Sequence, residues 1–216
     1  VADCVAAMID AAKDGPEITV KCRIGVDDQD PAAALPGFID TVAARGVSRF
    51  AVHARKAWLQ GLSPKENRTI PPLDYGLVRQ VKQDRPDLHI SLNGGIETLA
   101  EAEAHLSDFD GVMIGRAAYH DPTGILADAD RQIYGVAKQD VDPVAAVMGM
   151  YDHIEGELAG GTRLHQITRH MLGAFAGRPG ARKWRRHLSE HAHLPGAGLE
   201  VVEAALDQVA PARAAQ

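Results

Sequence analysis

Hydrophobic positions along this chain follow two successive patterns. Over residues 1–13, Val5, Met8, Ile9 and Ala12 share one helical face, and Gly15-Pro16 ends the run. Glu17 to Ile24 then turns β-rich, and Gly25 closes it. Asp30-Pro31 opens a helix carrying Leu35, Phe38, Ile39 and Val42, which starts at Pro31 or at Pro36 and stops at Gly46. A strand is expected over Arg49–His53, a long polar loop from Ala54 to Pro72, and a helix over Tyr75–Gln83. A strand over His89–Leu92, a helix from the N-cap Thr98 to Leu106, a strand over Gly111–Ile114 and a helix over Ile125–Tyr134 follow. Strand and helix alternate at a spacing suited to βαβ units, which predicts parallel strands.

After Val136 the strand pattern disappears. Pro143–Leu158, Leu164–Phe175, Ala181–Glu190 and Leu199–Val209 read as four helices, separated by Gly160-Gly161, Arg178-Pro179-Gly180 and Leu194-Pro195-Gly196. Two domains are expected, 1–136 and 137–216, the second a small antiparallel bundle whose Ala-rich end from Pro211 frays. The chain opens directly in helical pattern without Met or a basic, apolar leader, which reads as the interior of a longer protein, and its two unpatterned cysteines fit a reducing, cytoplasmic setting.

The chemistry gathers at the ends of the strand-like runs. Val20-Lys21-Cys22-Arg23-Ile24-Gly25, Val52-His53-Ala54-Arg55, Asn93-Gly94-Gly95-Ile96 and Ile114-Gly115-Arg116-Ala117 each end one run. In a parallel barrel those ends open onto one face, where active sites lie. Backbone N–H groups at glycine turns, with an Arg and a Lys, suit a phosphorylated ligand.

Net charge of −6 does not advertise a nucleic-acid partner, but the average hides a basic patch. Arg163 to Leu188 holds seven Lys or Arg and no Asp or Glu. Within it, Arg182 and Arg185 are three apart on one helix face. Trp184 reads as a packing residue rather than a base-stacking one. The two cysteines, Cys4 and Cys22, form no disulfide or zinc pattern. His187, His191 and His193 lack the partners of a metal site, and Asp27-Asp28-x-Asp30 reads as a solvated acidic loop. No apolar run is long enough to cross a bilayer.

In this order, and with the loop Lys56–Arg68 and the segments Arg169-His170-Met171-Leu172-Gly173 and Pro179–Arg186, these motifs resemble the tRNA-dihydrouridine synthases, in particular those acting at positions 20/20a of the tRNA D-loop. The resemblance covers essentially the whole chain. It implies an α/β fold made of the C-terminal half of a (β/α)8 TIM barrel, about four βα units, followed by a helical tRNA-binding domain. It implies FMN as cofactor, NADPH as reductant and tRNA as partner. Lys21, His53, Asn93, Gly94, Gly95, Gly115 and Arg116 would then bind FMN, with Lys21 near the flavin N1/O2 edge. Lys65, Arg68, Arg182 and Arg185 would contact tRNA. The general-acid Cys of the family would lie in an absent N-terminal half, so the chain alone is expected to be catalytically impaired. Cys22, alternating with Lys21 along a strand, points away from the flavin. The open edges of a half barrel predict self-association. A dihydroorotate-dehydrogenase-like flavoprotein would explain the glycine turns but not the basic tail, and an RNA-binding module would leave Lys21 and His53 without a role.

Overall fold

The computed structural model describes residues 1–13, 15–137 and 141–209. The Ala-rich end expected to fray, 211–216, lies outside the described residues, as do residues 138–140 of the expected domain boundary. The chain divides into two compact units, Val1–Gly115 and Arg116–Gln216.

The first unit is an α/β sheet unit. α1 (Ala2–Ala12), β1 (Val20–Arg23), α2 (Pro31–Ala43), β2 (Arg49–His53), α3 (Tyr75–Asp84), β3 (His89–Asn93), α4 (Leu99–His105) and β4 (Gly111–Met113) follow in order. The strands form one sheet in the order β1-β2-β3-β4, every pair parallel. Local chemistry sets the helix starts. Asp30 caps α2 by accepting from Ala32 N with Pro31 in the first turn, and the helix runs unbroken through Pro36. Asp74 caps α3 through Leu77 N, and Thr98 with Glu101 closes a capping box on α4.

Phe50, Val52, Ile90 and Leu92 point from the sheet into a core completed by Leu35, Ile39 and Val42 of α2 and Val78 and Val81 of α3. The alternate strand positions, Lys21, Arg23, Ala51, His53, Ser91, Asn93, Gly111 and Met113, therefore lie on the opposite face.

The second unit is helical among its described residues: α5 (Arg116–His120), α6 (Pro122–Gln132), α7 (Pro143–Met148), α8 (Tyr151–Ala159), α9 (Leu164–Thr168), α10 (Ala181–His191) and α11 (Leu199–Leu206). Its core gathers Val147, Ile154, Leu164, Phe175, Trp184, Leu188 and Val202. The division falls ahead of the 136/137 boundary read from sequence because α5 and α6 bond within this unit. Thr123 Oγ1 donates to Ala174 O at 2.9 Å, and Tyr119 Oη lies 2.9 Å from His170 Nδ1. Gly173 permits the approach: a Cβ there would sit 2.5 Å from His120 O. The helix expected over Pro143–Leu158 is broken at Gly149-Met150 into α7 and α8, and the one expected over Leu164–Phe175 ends at Thr168 and continues as turns. α6 begins at Pro122, three residues before Ile125, because Asp121 caps it through Gly124 N.

Candidate functional site

Parallel register puts Arg23, His53, Asn93 and Met113 side by side across the C-terminal ends of the four strands. Lys21 lies two residues back on the same face of β1 and is exposed. His53 and Asn93 are buried. Asn93 is held by a 2.6 Å bond from its Nδ2 to Met113 O, and its carbonyl accepts from Ala54 N at 2.9 Å.

Gly94 and Gly95 leave β3 with φ of +112° and +74°. Such angles are open to glycine and strained for other residues. Space is tight as well. A Cβ on Gly94 would lie 3.2 and 3.3 Å from the His53 ring atoms Cε1 and Nε2, and one on Gly95 would lie 2.7 Å from Leu73 Cδ1. The Tyr75 hydroxyl donates to Gly94 O and fixes the turn from below. The turn is thus pressed against the buried imidazole. Gly115 closes the first unit with nothing within 4 Å of a Cβ there, so sterics do not demand glycine at that position. Arg116, exposed, opens the second unit.

The long loop is fastened to the end of β1. Arg23 Nη1 donates to Lys56 O and Asn67 O, both at 2.9 Å. Ala57 N donates to Gly25 O, Asp27 N to Ala57 O, and Leu59 N to Asp27 Oδ1. Asp27 is therefore a loop tie and Asp30 a helix cap, which corrects the reading of Asp27-Asp28-x-Asp30 as a merely solvated loop. Both groups have backbone donors nearby that a carboxylate satisfies. Lys65 and Arg68 sit exposed on this loop.

The field over this face is positive. Lys21, exposed as a residue but with its ammonium partly desolvated, has its pKa lowered by that desolvation first, then by Arg23 and Arg68, against an opposing effect of Cys22. Arg23 is lowered by burial, Arg68 and Arg55. Among the described residues no ion pair includes Lys21, Arg23 or Arg55. Arg55 donates to Pro71 O through Nη1, while its Nε is buried with no hydrogen-bond partner among the described residues. Arg23, Arg55 and Tyr75 were missed by the sequence reading. Arg23 alone carried a signal, since alternation from Lys21 places it on the same face.

Cys22 faces the other way, packed against the core. Burial pushes its thiol up to about 11, with Lys21 opposing. The folded state thus holds this proton more tightly than an ordinary thiol at 9.0. Its contribution to stability is complete below pH 9 and is lost as pH rises through about 11. At pH 8 the two-unit rise leaves roughly a hundredfold less thiolate than an ordinary cysteine has. Alkylation followed by mass spectrometry is expected to label exposed Cys4 first and Cys22 slowly, at a rate climbing with pH up to about 11. Equal labelling at neutral pH would contradict this.

In the second unit, Arg182, Lys183, Arg185 and Arg186 are exposed on α10, while Ala181, Trp184 and Leu188 are buried. Arg186 pairs with Glu190 at 2.8 Å, so part of this basic face is neutralised. Trp184 is wholly buried, edge-on to Phe175, and donates from Nε1 to Met171 O at 3.1 Å. It is a packing residue. His187 stacks on His191 with ring centroids 4.3 Å apart, and its pKa is lowered by burial and by His191, against Glu190. Among the described residues no three His, Cys, Asp or Glu side chains converge as a metal site.

The family model for dihydrouridine synthase matches residues 1–210. The chain belongs to the dihydrouridine synthase family. It is 58% identical over 214 residues to the tRNA-dihydrouridine(20/20a) synthase of Escherichia coli K12, covering 99% of this chain and 61% of that protein. The enzyme of that name from Salmonella typhimurium is 58% identical, with 99% and 64% covered, and that from Vibrio cholerae 56% identical, with 97% and 63% covered. The chain thus spans 61–64% of the length of these relatives. Among the described residues no helix is long and apolar enough to cross a membrane.

Proposed function

We propose that this chain supplies the cofactor face and part of the RNA surface of a cytoplasmic, FMN-dependent tRNA-dihydrouridine synthase that reduces D-loop uridines at positions 20/20a with NADPH. The observation that carries the reading is the row Arg23-His53-Asn93, with Lys21 beneath it and the Gly94-Gly95 turn against His53. These residues fit the cofactor. A cation, an imidazole and an amide line one face of the sheet, and a two-glycine turn leaves its backbone free of side chains beside them.

FMN, when bound, supplies the redox chemistry. Lys21 would stabilise negative charge on the pyrimidine edge of the isoalloxazine, a role suited to an ammonium that pairs with no carboxylate among the described residues. His53, held by burial and the neighbouring turn, donates a hydrogen bond to the ring. Asn93 orients the strand end, and Gly94 and Gly95 bring backbone N–H groups to the phosphate. The resemblance adds Gly115 and Arg116 to the phosphate contacts. Lys65, Arg68, Arg182 and Arg185 contribute phosphodiester contacts, which give affinity and register.

In this reading residues 1–136 are the second half of the barrel, although α5 and α6 are grouped with the helical unit, residues 137–216 are a tRNA-binding domain, and the share of the relatives left uncovered supplies the general acid. Cys22 is an unsuitable substitute, because it packs into the helix-side core. The outer edges of β1 and β4, each paired with one strand, favour self-association of the isolated chain.

The test is dihydrouridine in tRNA after incubation with FMN and NADPH, for this chain and for the chain expressed with the portion of the relatives that it leaves uncovered. Reduction by the longer protein alone is expected, with a tenfold or greater loss for Lys21→Ala. No reduction by either would overturn the reading.

A further inference from the structure

The loop from Ala54 to Pro72 carries one large aromatic ring, and its placement is costly to explain as a packing residue. Trp58 is 37% exposed, and its neighbour Leu59 is 72% exposed. Part of the ring is open to solvent, and its backbone has a fixed base. Asn67 grips both backbone groups of Trp58: Trp58 N donates to Asn67 Oδ1 at 2.7 Å, and Asn67 Nδ2 donates to Trp58 O at 2.7 Å. The carbonyl of Asn67 is itself bound by Arg23 from β1. The residues either side of Trp58 are tied as well, Ala57 N to Gly25 O and Leu59 N to Asp27 Oδ1. Five hydrogen bonds thus fix the backbone that carries this side chain. Preorganised aromatics of this kind contact a partner with little loss of side-chain entropy.

The charge around the ring selects the partner. Lys56 Nζ lies over the indole, 5.2 Å from its centroid. Arg23, which anchors the loop, is in the field of Arg68 and Arg55. An aromatic ring with a lysine over one face and the other open to a partner matches a nucleobase with its phosphate: the base stacks and the lysine meets the backbone. A hydrophobic protein surface would leave the Lys56 ammonium to be desolvated without compensation.

We infer that Trp58 is a stacking platform for an unpaired base of the RNA substrate, positioned by Asn67 and Arg23 and flanked by Lys56. The inference rests on the proposed RNA substrate and adds a base contact to the phosphate contacts of Lys65 and Arg68.

The chain has two tryptophans, which makes the test direct. Trp184 is wholly buried, so iodide and RNA reach Trp58. Binding is followed through tryptophan emission on titration with tRNA over a series of salt concentrations. Wild-type emission is expected to be quenched by tRNA, and Trp58→Phe should remove that quenching, leaving the Trp184 signal. Trp58→Ala should weaken binding about tenfold, while Trp58→Phe, which keeps a ring, stays within about threefold. The slope of log affinity against log salt should be the same in both variants, because no phosphate contact is lost. Asn67→Ala, which frees the loop and its cations, should weaken binding and flatten the slope.

If wild type binds tRNA in a salt-dependent manner, yet Trp58→Ala binds equally well and wild-type emission is unchanged, the stacking inference falls and the RNA reading stands. If the wild-type chain and its longer form bind no tRNA, both fall. Trp58 already shielded from iodide in the longer form before RNA is added would assign the ring to an intrachain contact and overturn the inference.

Discussion

Gly94→Val is expected to abolish flavin retention while leaving most of the sheet folded. At φ +112° a β-branched residue is strained, which costs about 1–3 kcal/mol by itself. The new side chain also points at three atoms with little room to move: Leu73 Cδ2 at 3.1 Å and the His53 ring atoms at 3.2 and 3.3 Å. Leu73 can rotate. His53 cannot yield as easily, since it is buried at the end of β2 and flanked in register by Arg23 and Asn93. The substitution therefore either displaces the imidazole or flattens the turn, and each removes a proposed FMN contact. The expected result is loss of bound FMN on purification of the longer form and a titrated affinity at least tenfold weaker. His53→Ala separates the two effects, because it removes the ring without straining the turn. It should weaken FMN binding with a smaller loss of thermal stability. FMN affinity unchanged in both variants would remove His53 and the glycine turn from the cofactor site.

Trp184→Ala unfolds the second unit. Trp184 is the largest of the fully buried side chains and sits at the middle of that core, 5.0 Å from the Phe175 ring centroid. Truncating such a residue costs about 3–5 kcal/mol through lost burial and the cavity left behind. That is comparable with the whole stability of a small domain. The Met171 carbonyl also loses the indole N–H, which bridges the turns after α9 to α10. Trp184→Phe keeps a ring but not the donor and should cost less. Hydrogen exchange read by mass spectrometry should show α5 to α11 exchanging rapidly in Trp184→Ala while the β1–β4 amides stay protected. Unchanged protection in α10 would contradict the assignment of Trp184 as the core of this unit. Because α10 also presents Arg182 and Arg185, the same variant is expected to lose much of its tRNA affinity without losing any charge.

Much of the fold was legible because short-range rules decide it. β2 spans the residues that alternation assigns, Arg49–His53, and Thr98 caps α4 as its hydroxyl and the following Glu101 require. The candidate groups Lys21, His53 and Asn93 were legible for a related reason. Each closes or nearly closes an apolar run, and parallel strands bring such ends together without further information. Arg55 and Tyr75 were not legible. Their roles arise from bonds to Pro71 and Gly94, 16 and 19 residues away, the first across the patternless loop and the second across the whole of α3 and β3.

By itself the sequence determined the alternation of strands and helices, the parallel sheet, the helical second part, the basic character of α10 and the family. Local periodicity, capping residues and motif order carry these, and none needs a distant contact. Only the tertiary structure decided that α5 and α6 belong to the second unit, that Pro143–Leu158 is two helices, and that Asp27 and Arg23 lock the long loop beneath an exposed Trp58. Those outcomes depend on which carbonyl, carboxylate or ring lies within hydrogen-bonding or packing distance once remote segments meet. A donor such as Arg23 has several acceptors open to it along the chain, and the folded backbone chooses among them.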